Sequence, residues 1–281
     1  MKKVGIVGAG IMGAGIAQRC ATYSYSVILV DSQPAQLQAA KRRIGESLDK
    51  LIKKGVVAEN KKTQILKNVV FDEKLDCLVD CDLIIEAITE VRELKEKLFM
   101  ELDRLCKSTT ILASNTSSIS LKLLSAVTRR PDRVLGLHFM NPAPLIPLVE
   151  LIRAEQTSAD TVGVCKEWLS TLGAEVVESK DSPGFIVNRI LIPMIHEAVR
   201  TLEAGVAGAQ DIDRAMVAGT RQPLGPLALA DMIGLDTVLF ILHTLHDELK
   251  DERFRPCPLL EKYVRENRLG RKTGRGFHEY V

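Results

Sequence analysis

The chain has 281 residues, 46% hydrophobic and 26% charged, a composition that excludes a disordered polyelectrolyte and a membrane bundle and fits one or two globular domains. Lys plus Arg number 38 against 36 Asp plus Glu, so a net charge of +2 supplies no global field for nucleic acid or an anionic membrane, and any anionic ligand must be held locally. The six cysteines form no CxxC pair and complete no metal set, and no stretch reaches the roughly 18–20 apolar residues of a membrane span, which makes a reducing cytoplasm the expected setting.

Residues 3–7 are a short apolar run that enters a glycine turn, too broken by Gly8, Gly10 and Gly13 to be a signal peptide. Residues 11–22 read as a helix and 27–30 as a second strand. Residues 33–67 read as one long helical stretch carrying nine Lys or Arg against three acids, a local excess of six positive charges. Strand-like runs resume at 69–71, 83–85, 111–113, 134–137 and 148–151, with a helix near 91–106. A helix over about 158–172, closed by Gly173, leads to a last strand at 175–178. Strands separated by helices predict an α/β Rossmann-type doubly wound sheet, mainly parallel, with the basic segment as a long helical insertion. From residue 184 onward apolar positions recur every three to four residues, which predicts an all-α second domain. We place the domains at 1–181 and 182–281. The second shows more apolar surface than about 100 residues bury alone, so homodimerisation through it is expected.

Gly8-Ala9-Gly10-Ile11-Met12-Gly13 fits G-x-G-x-x-G in its proper setting, between a strand and a helix and followed 18 residues after Gly13 by Asp31 at the end of the second strand. Gly8 permits the tight turn, Gly10 lets backbone approach a pyrophosphate, and Gly13 lets helix pack on strand. The helix N-terminus offers unpaired N–H groups to the phosphates. Asp31 suits the adenosine ribose hydroxyls and repels a 2′-phosphate, and Ser32-Gln33-Pro34 brings no cation to reverse that, so NAD is favoured over NADP. FAD is the rival cofactor, since flavoproteins use the same turn.

A hydride carrier needs a partner that moves a proton. Among five histidines, His138 follows the apolar strand Val134 to Leu137, at the carboxyl end where ligands of open α/β sheets lie. His196, His243, His246 and His278 fall on expected helices or near the terminus, where packing or surface roles suit them. Glu150 stands in the next strand among apolar neighbours, where a carboxylate needs a partner, and a His–Glu couple follows.

Read together, several ordered motifs resemble the 3-hydroxyacyl-CoA dehydrogenase family over essentially the whole length. They are Gly8 to Gly13, Ser114-Asn115-Thr116-Ser117-Ser118, His138-Phe139-Met140-Asn141-Pro142, Pro183-Gly184-Phe185-Ile186-Val187-Asn188-Arg189 and Gly270-Arg271-Lys272-Thr273-Gly274-Arg275-Gly276-Phe277. The resemblance implies NAD-linked, reversible oxidation of an L-3-hydroxyacyl-CoA in fatty-acid or butanoate metabolism, with 3-hydroxybutyryl-CoA as the expected short-chain substrate. It implies that His138 is the acid–base and Glu150 its orienting carboxylate, and that Ser117 and Asn188 serve the substrate oxygen and the nicotinamide. By the same matching, Asp31, Glu90, Lys95, Ser117, Asn141 and Lys272 contact NAD, while Ser47, Lys54 and Ser117 contact the acyl-CoA. Ser47 and Lys54 are seven apart, hence on one helix face, and the basic segment suits the phosphates of CoA. With Asn188 in the helical domain and His138 in the sheet domain, the expected active site is a cleft between domains. The chain departs from the family at Met140, where a second Phe is common, and at Ile146-Pro147, where Met-Lys is common; both bear on the wall near the acyl group. Two other readings remain open: a dehydrogenase of a free hydroxy acid or sugar acid, and a non-catalytic dinucleotide-binding protein of the kind lens crystallins represent.

Overall fold

Apolar strands and helices alternate from the first residues. In the computed structural model, which describes residues 1–280, β1 (Lys3–Val7) enters α1 (Ile11–Thr22) and β2 (Ser26–Val30) enters α2 (Pro34–Lys53) and α3 (Lys62–Lys67). There follow β3 (Val69–Asp72), β4 (Leu83–Glu86), α4 (Arg92–Leu105), β5 (Ile111–Ser114), α5 (Leu121–Ala126), β6 (Val134–Phe139), β7 (Leu148–Arg153), α6 (Ala159–Thr171) and β8 (Glu175–Lys180). These strands form one sheet in the order β3-β2-β1-β4-β5-β6-β7-β8, parallel at every junction except β6–β7. The chain lays β2 and β3 on one side of β1 and then returns to lay β4 on the other. That reversal opens a crevice beyond the carboxyl ends of β1 and β4, the place where such sheets bind ligands.

The basic segment is not one helix. α2 stops at Lys53 because Gly55 takes a left-handed φ of +69°, and the amides of Gly55 and Val56 turn back to the carbonyls of Ile52 and Leu51. This is a glycine C-cap of the Schellman kind, which satisfies carbonyls that the helix end would leave orphaned. A short turn and α3 follow, so the predicted stretch over 33–67 is two helices with a break. The cations of α2 remain outside, and its inner face of Leu37, Ala40, Ile44, Leu48 and Leu51 packs into the sheet core.

A first unit ends at Ser182 and a second begins at Pro183. The second is helical: α7 (Val187–Glu203), α8 (Ala209–Thr220), α9 (Pro226–Ile233), α10 (Leu235–Leu249) and α11 (Pro258–Arg265). Its core gathers Ile192, Ile195, Val199, Leu227, Leu235, Val238, Leu242 and Leu245. Two buried acids pin its C-terminal segment. Asp231 accepts from the amides of Phe277 and His278 and from the Tyr280 hydroxyl, and Asp213 accepts from the amides of Leu227 and Ala228 and lies 2.7 Å from His278 Nε2. No single helix among the described residues is long and apolar enough to cross a membrane.

Candidate active site

Beyond β1 the chain makes the turn that the glycine spacing predicts. Gly8 has φ of +105°, and a Cβ there would stand 2.5 Å from the Ala87 carbonyl oxygen; a Cβ on Gly13 would stand 1.8 Å from the Gly8 carbonyl oxygen. Gly10 is different, because a Cβ there would meet nothing within 4 Å. Open space over Gly10, at the start of a helix with no side-chain cap, is room for a pyrophosphate against backbone N–H groups. The residues present therefore fit a dinucleotide. Asp31 closes the turn: Oδ2 accepts from the Ala9 amide at 2.8 Å and Oδ1 from the Gln33 amide at 2.9 Å. Each oxygen keeps further lone-pair capacity for ribose hydroxyls.

The strand β6 carries His138 inside it rather than after it, since pairing continues to Phe139. Alternation along β6 and β7 sorts the side chains. Leu137 opposes Leu151 and Phe139 opposes Val149, and these four join the sheet core, so the intervening pair His138 and Glu150 shares the other face. The two stand directly opposite in register, with Nδ1 2.7 Å from Glu150 Oε2. Glu150 is fully buried and His138 nearly so. An ionised carboxylate only accepts hydrogen bonds, so this contact places the imidazole proton on Nδ1 and makes Nε2 the basic nitrogen.

A second polar network lies at the ends of β4 and β5. Lys95, 1% exposed on α4, reaches back to Glu86 Oε1 at 2.5 Å, to Glu90 Oε2 at 3.0 Å and to the Ile88 carbonyl at 3.5 Å. Glu86 also accepts from the Ser114 hydroxyl, its neighbour in register, and from the Ile88 amide. Glu90 Oε1 accepts from the Thr116 and Ser118 hydroxyls and from the amides of Ser117 and Ser118. Burial pushes the Glu86 carboxyl up. Burial pushes Glu90 the same way, but the Lys95 charge and the hydroxyl bonds outweigh it and hold Glu90 below the ordinary carboxylate range. Asn115 ties this loop to the histidine strand, its Oδ1 accepting from the Phe139 amide at 2.9 Å.

The first unit thus brings His138 onto Glu150 and Glu90 onto the backbone of Ser117, and Asp31 onto the glycine turn. Lys95 pairs with Glu86 and Glu90, and its contact with the Ile88 carbonyl is the longest of the three. Ser47 and Asn141 line one groove, together with Ile11, Gly15, Gln18 and Arg43. Lys54 does not line that groove; it caps the C-terminus of α2 on the surface. In the second unit Asn188 sits half-buried in the first turn of α7, and the Lys272 ammonium pairs with Asp236 at 2.5 and 2.6 Å. Of the remaining histidines, His196 is buried and its Nε2 accepts from the Cys257 amide, burial and then Arg200 lowering its pKa, while His243 is on the surface. Burial pushes the Cys20, Cys81 and Cys165 thiols up to about 12, which leaves them inert as nucleophiles.

Sequence reasoning missed Glu86, and it quoted Ser114, Asn115, Thr116 and Ser118 as part of a motif and Arg43 as one of the basic-segment cations without giving any of them a role. Glu86 did carry a signal, an acid closing the apolar run Leu83-Ile84-Ile85 nine residues before a lysine.

A glycine turn shaped for a dinucleotide and an imidazole–carboxylate couple on the same sheet define a nicotinamide-dependent dehydrogenase. The comparisons agree. Residues 3–182 match the NAD-binding domain of 3-hydroxyacyl-CoA dehydrogenase and residues 184–280 match its C-terminal domain. The chain is 50% identical over 280 residues to a 3-hydroxybutyryl-CoA dehydrogenase of Bradyrhizobium diazoefficiens, covering 100% of this chain and 96% of the relative. It is 43% identical over 288 residues to the mitochondrial hydroxyacyl-coenzyme A dehydrogenase of Sus scrofa, covering 100% and 91%. The crystal structure of (S)-3-hydroxybutyryl-CoA dehydrogenase from Ralstonia eutropha superposes with a TM-score of 0.96 at 46% identity, over 100% of this chain and 99% of that one. The chain belongs to the 3-hydroxyacyl-CoA dehydrogenase family and is an NAD-binding oxidoreductase.

Proposed function

We propose that the protein reversibly oxidises an L-3-hydroxyacyl-CoA to the 3-oxoacyl-CoA, with 3-hydroxybutyryl-CoA as its substrate. The observation that carries this reading is the cross-strand couple of His138 and Glu150. Oxidation of a secondary alcohol removes a hydroxyl proton as a hydride leaves the same carbon. His138 Nε2 takes that proton, and Glu150 holds the ring orientation and offsets the charge of the imidazolium, as the carboxylate does in a Ser-His-Asp triad. When bound, NAD supplies the carbon that accepts the hydride. In reduction His138 returns the proton to the oxygen. Ser117 and Asn188 donate to that oxygen, and Ser117 is placed for it by the Glu90 carboxylate that takes its backbone amide.

The glycine turn and Asp31 hold the cofactor, with Glu90, Ser117, Asn141 and Lys272 as further contacts by the family pattern. Lys95 belongs to the same set of contacts by the family pattern, and its ion pair with Glu90 holds the two side chains together. Ser47 in its groove and Lys54 at the helix end take the CoA moiety, and Arg43 adds a cation to the same groove. The helical unit leaves Ile190, Val206, Met232 and Phe240 exposed, and a second copy of the chain covers that apolar surface in the cytoplasm.

A steady-state assay tests the reading, with NADH and NADPH each set against acetoacetyl-CoA, longer 3-oxoacyl-CoA esters and free acetoacetate. We expect NADH to be preferred and the CoA ester to exceed acetoacetate by about 10²-fold or more in kcat/KM. Equal turnover of acetoacetate would remove the case for CoA recognition, and a monomer by light scattering of the same preparation would remove the dimer.

A further inference from the structure

Arg19 lies in the last turn of α1, 5% exposed, and no carboxylate among the described residues pairs with it. Its guanidinium is spent on backbone carbonyls instead. Nη1 donates to Ala143 at 3.1 Å and Ile146 at 2.6 Å, Nη2 to Pro147 at 3.4 Å and Leu172 at 3.2 Å, and Nε to Leu172 at 3.4 Å. Burying a cation without a counter-ion costs several kcal/mol, and an aliphatic side chain would fill a helix–loop contact without that cost.

The loop that receives these bonds explains the arginine. Residues 140–147 connect β6 to β7, and Pro142, Pro144 and Pro147 have no amide hydrogen to give. The amides of Leu145 and Ile146 both turn to the Pro142 carbonyl, and a β8 amide, that of Glu175, reaches Pro147. The carbonyls of Ala143 and Ile146 therefore need a donor from outside the loop, as buried carbonyls do. Arg19 supplies it, and with the same fork it holds the Leu172 carbonyl at the end of α6, a favourable place for a cation. Close packing completes the seat, since a Cβ on Gly15 would stand 3.3 Å from both Ala143 Cβ and Pro144 Cδ.

This loop joins His138 to Glu150 in the chain, and its Asn141–Pro144 stretch forms one wall of the groove that contains Ser47 and Arg43. We propose that Arg19 is a positioning residue that fixes this wall from the cofactor helix and so sets the affinity for the acyl-CoA. The inference rests on the reading of that groove as the acyl-CoA site. It does not touch the proton-transfer pair, because the β6–β7 ladder holds His138 against Glu150 in register.

The test uses the full-length enzyme carrying Arg19→Ala and, separately, Arg19→Lys, each first shown to be folded by circular dichroism. We expect Arg19→Ala to raise the KM for acetoacetyl-CoA about tenfold while kcat at saturation changes less than about twofold and the Kd for NADH rises less than about threefold, because Asn141 alone of this wall is a cofactor contact. Arg19→Lys keeps the charge but loses the fork, so its KM falls between the two, and methylguanidinium added to Arg19→Ala should lower the KM back toward the wild type. If Arg19→Ala does not fold, the comparison of Arg19→Lys with wild type decides the question. A wild-type KM in a folded variant, even one with a lowered Tm, overturns the proposal, and so does a Kd for NADH that rises in parallel. Wild-type enzyme that fails to reduce acetoacetyl-CoA would instead overturn the functional reading itself.

Discussion

The parallel part of the sheet and its antiparallel seam build the proposed site by different means. Around β1, β2 and β4 the ligand site is mostly backbone: a glycine turn, an uncapped helix start and a carboxylate that braces the turn. At the β6–β7 seam it is made of side chains placed opposite each other by register. Parallel strands align their carboxyl ends and so collect loops, whereas antiparallel strands align residues and so create pairs. Holding a diphosphate needs many fixed N–H groups, but moving a proton needs two side chains at one distance.

Substitutions at the seam should break the contrast most sharply. His138→Ala is expected to lower kcat by about 10²–10⁴-fold, and Glu150→Gln by about 10²-fold, with the Kd for NADH unchanged in both, by stopped-flow turnover and fluorescence titration. A Kd for NADH that moves with kcat would mean that the two regions are not separable. On the backbone side, Gly13→Ala brings a methyl against the Gly8 carbonyl oxygen. We expect NADH binding to weaken about tenfold, with little loss of kcat at saturating cofactor, and an unaltered Kd would show that the turn yields without cost.

The smallest effect concerns Glu90, which bridges the two styles by accepting backbone amides while pairing with Lys95. Burial raises its pKa, but Lys95 and the hydroxyls lower it further, so the folded value lies under the unfolded one. Its stabilising contribution is therefore complete above the unfolded value, about pH 4, and is lost as pH falls through the depressed folded value. Glu90→Gln should flatten the acid limb of a Tm-against-pH curve while leaving its slope near neutrality alone. An acid limb identical to that of the wild type would show that Glu90 titrates as it does in the unfolded chain.

Much of the sheet was legible because each strand is a short apolar run bounded by turn residues, and the glycine turn because its spacing serves a single geometry. Strand direction was not. The run Leu148-Val149-Glu150-Leu151 reads alike whichever way it points, and only its pairing with β6 shows that it reverses. The break after α2 was in reach, since Gly55 marks it, but the dense lysines on either side continue a helical composition. His138 and Glu150 stood out as polar residues in apolar strands. Glu90 and Lys95 could be singled out but not understood, because their partners Glu86, Thr116 and Ser118 come from other elements. Arg19 gave no sign at all: a single arginine within an amphipathic helix has the pattern of a solvated side chain, and its burial depends on a loop more than 120 residues later.

The two outer strands leave the sheet with two open edges. β3 is four residues long and ends on Asp72, and β8 presents Glu175, Glu178 and Lys180 along a largely exposed edge, with Glu178 tethered to Lys166. Both ends of the sheet are therefore poor templates for an added strand. The sheet is eight strands wide, and the charges along its outer edges disfavour pairing with the edge of another copy.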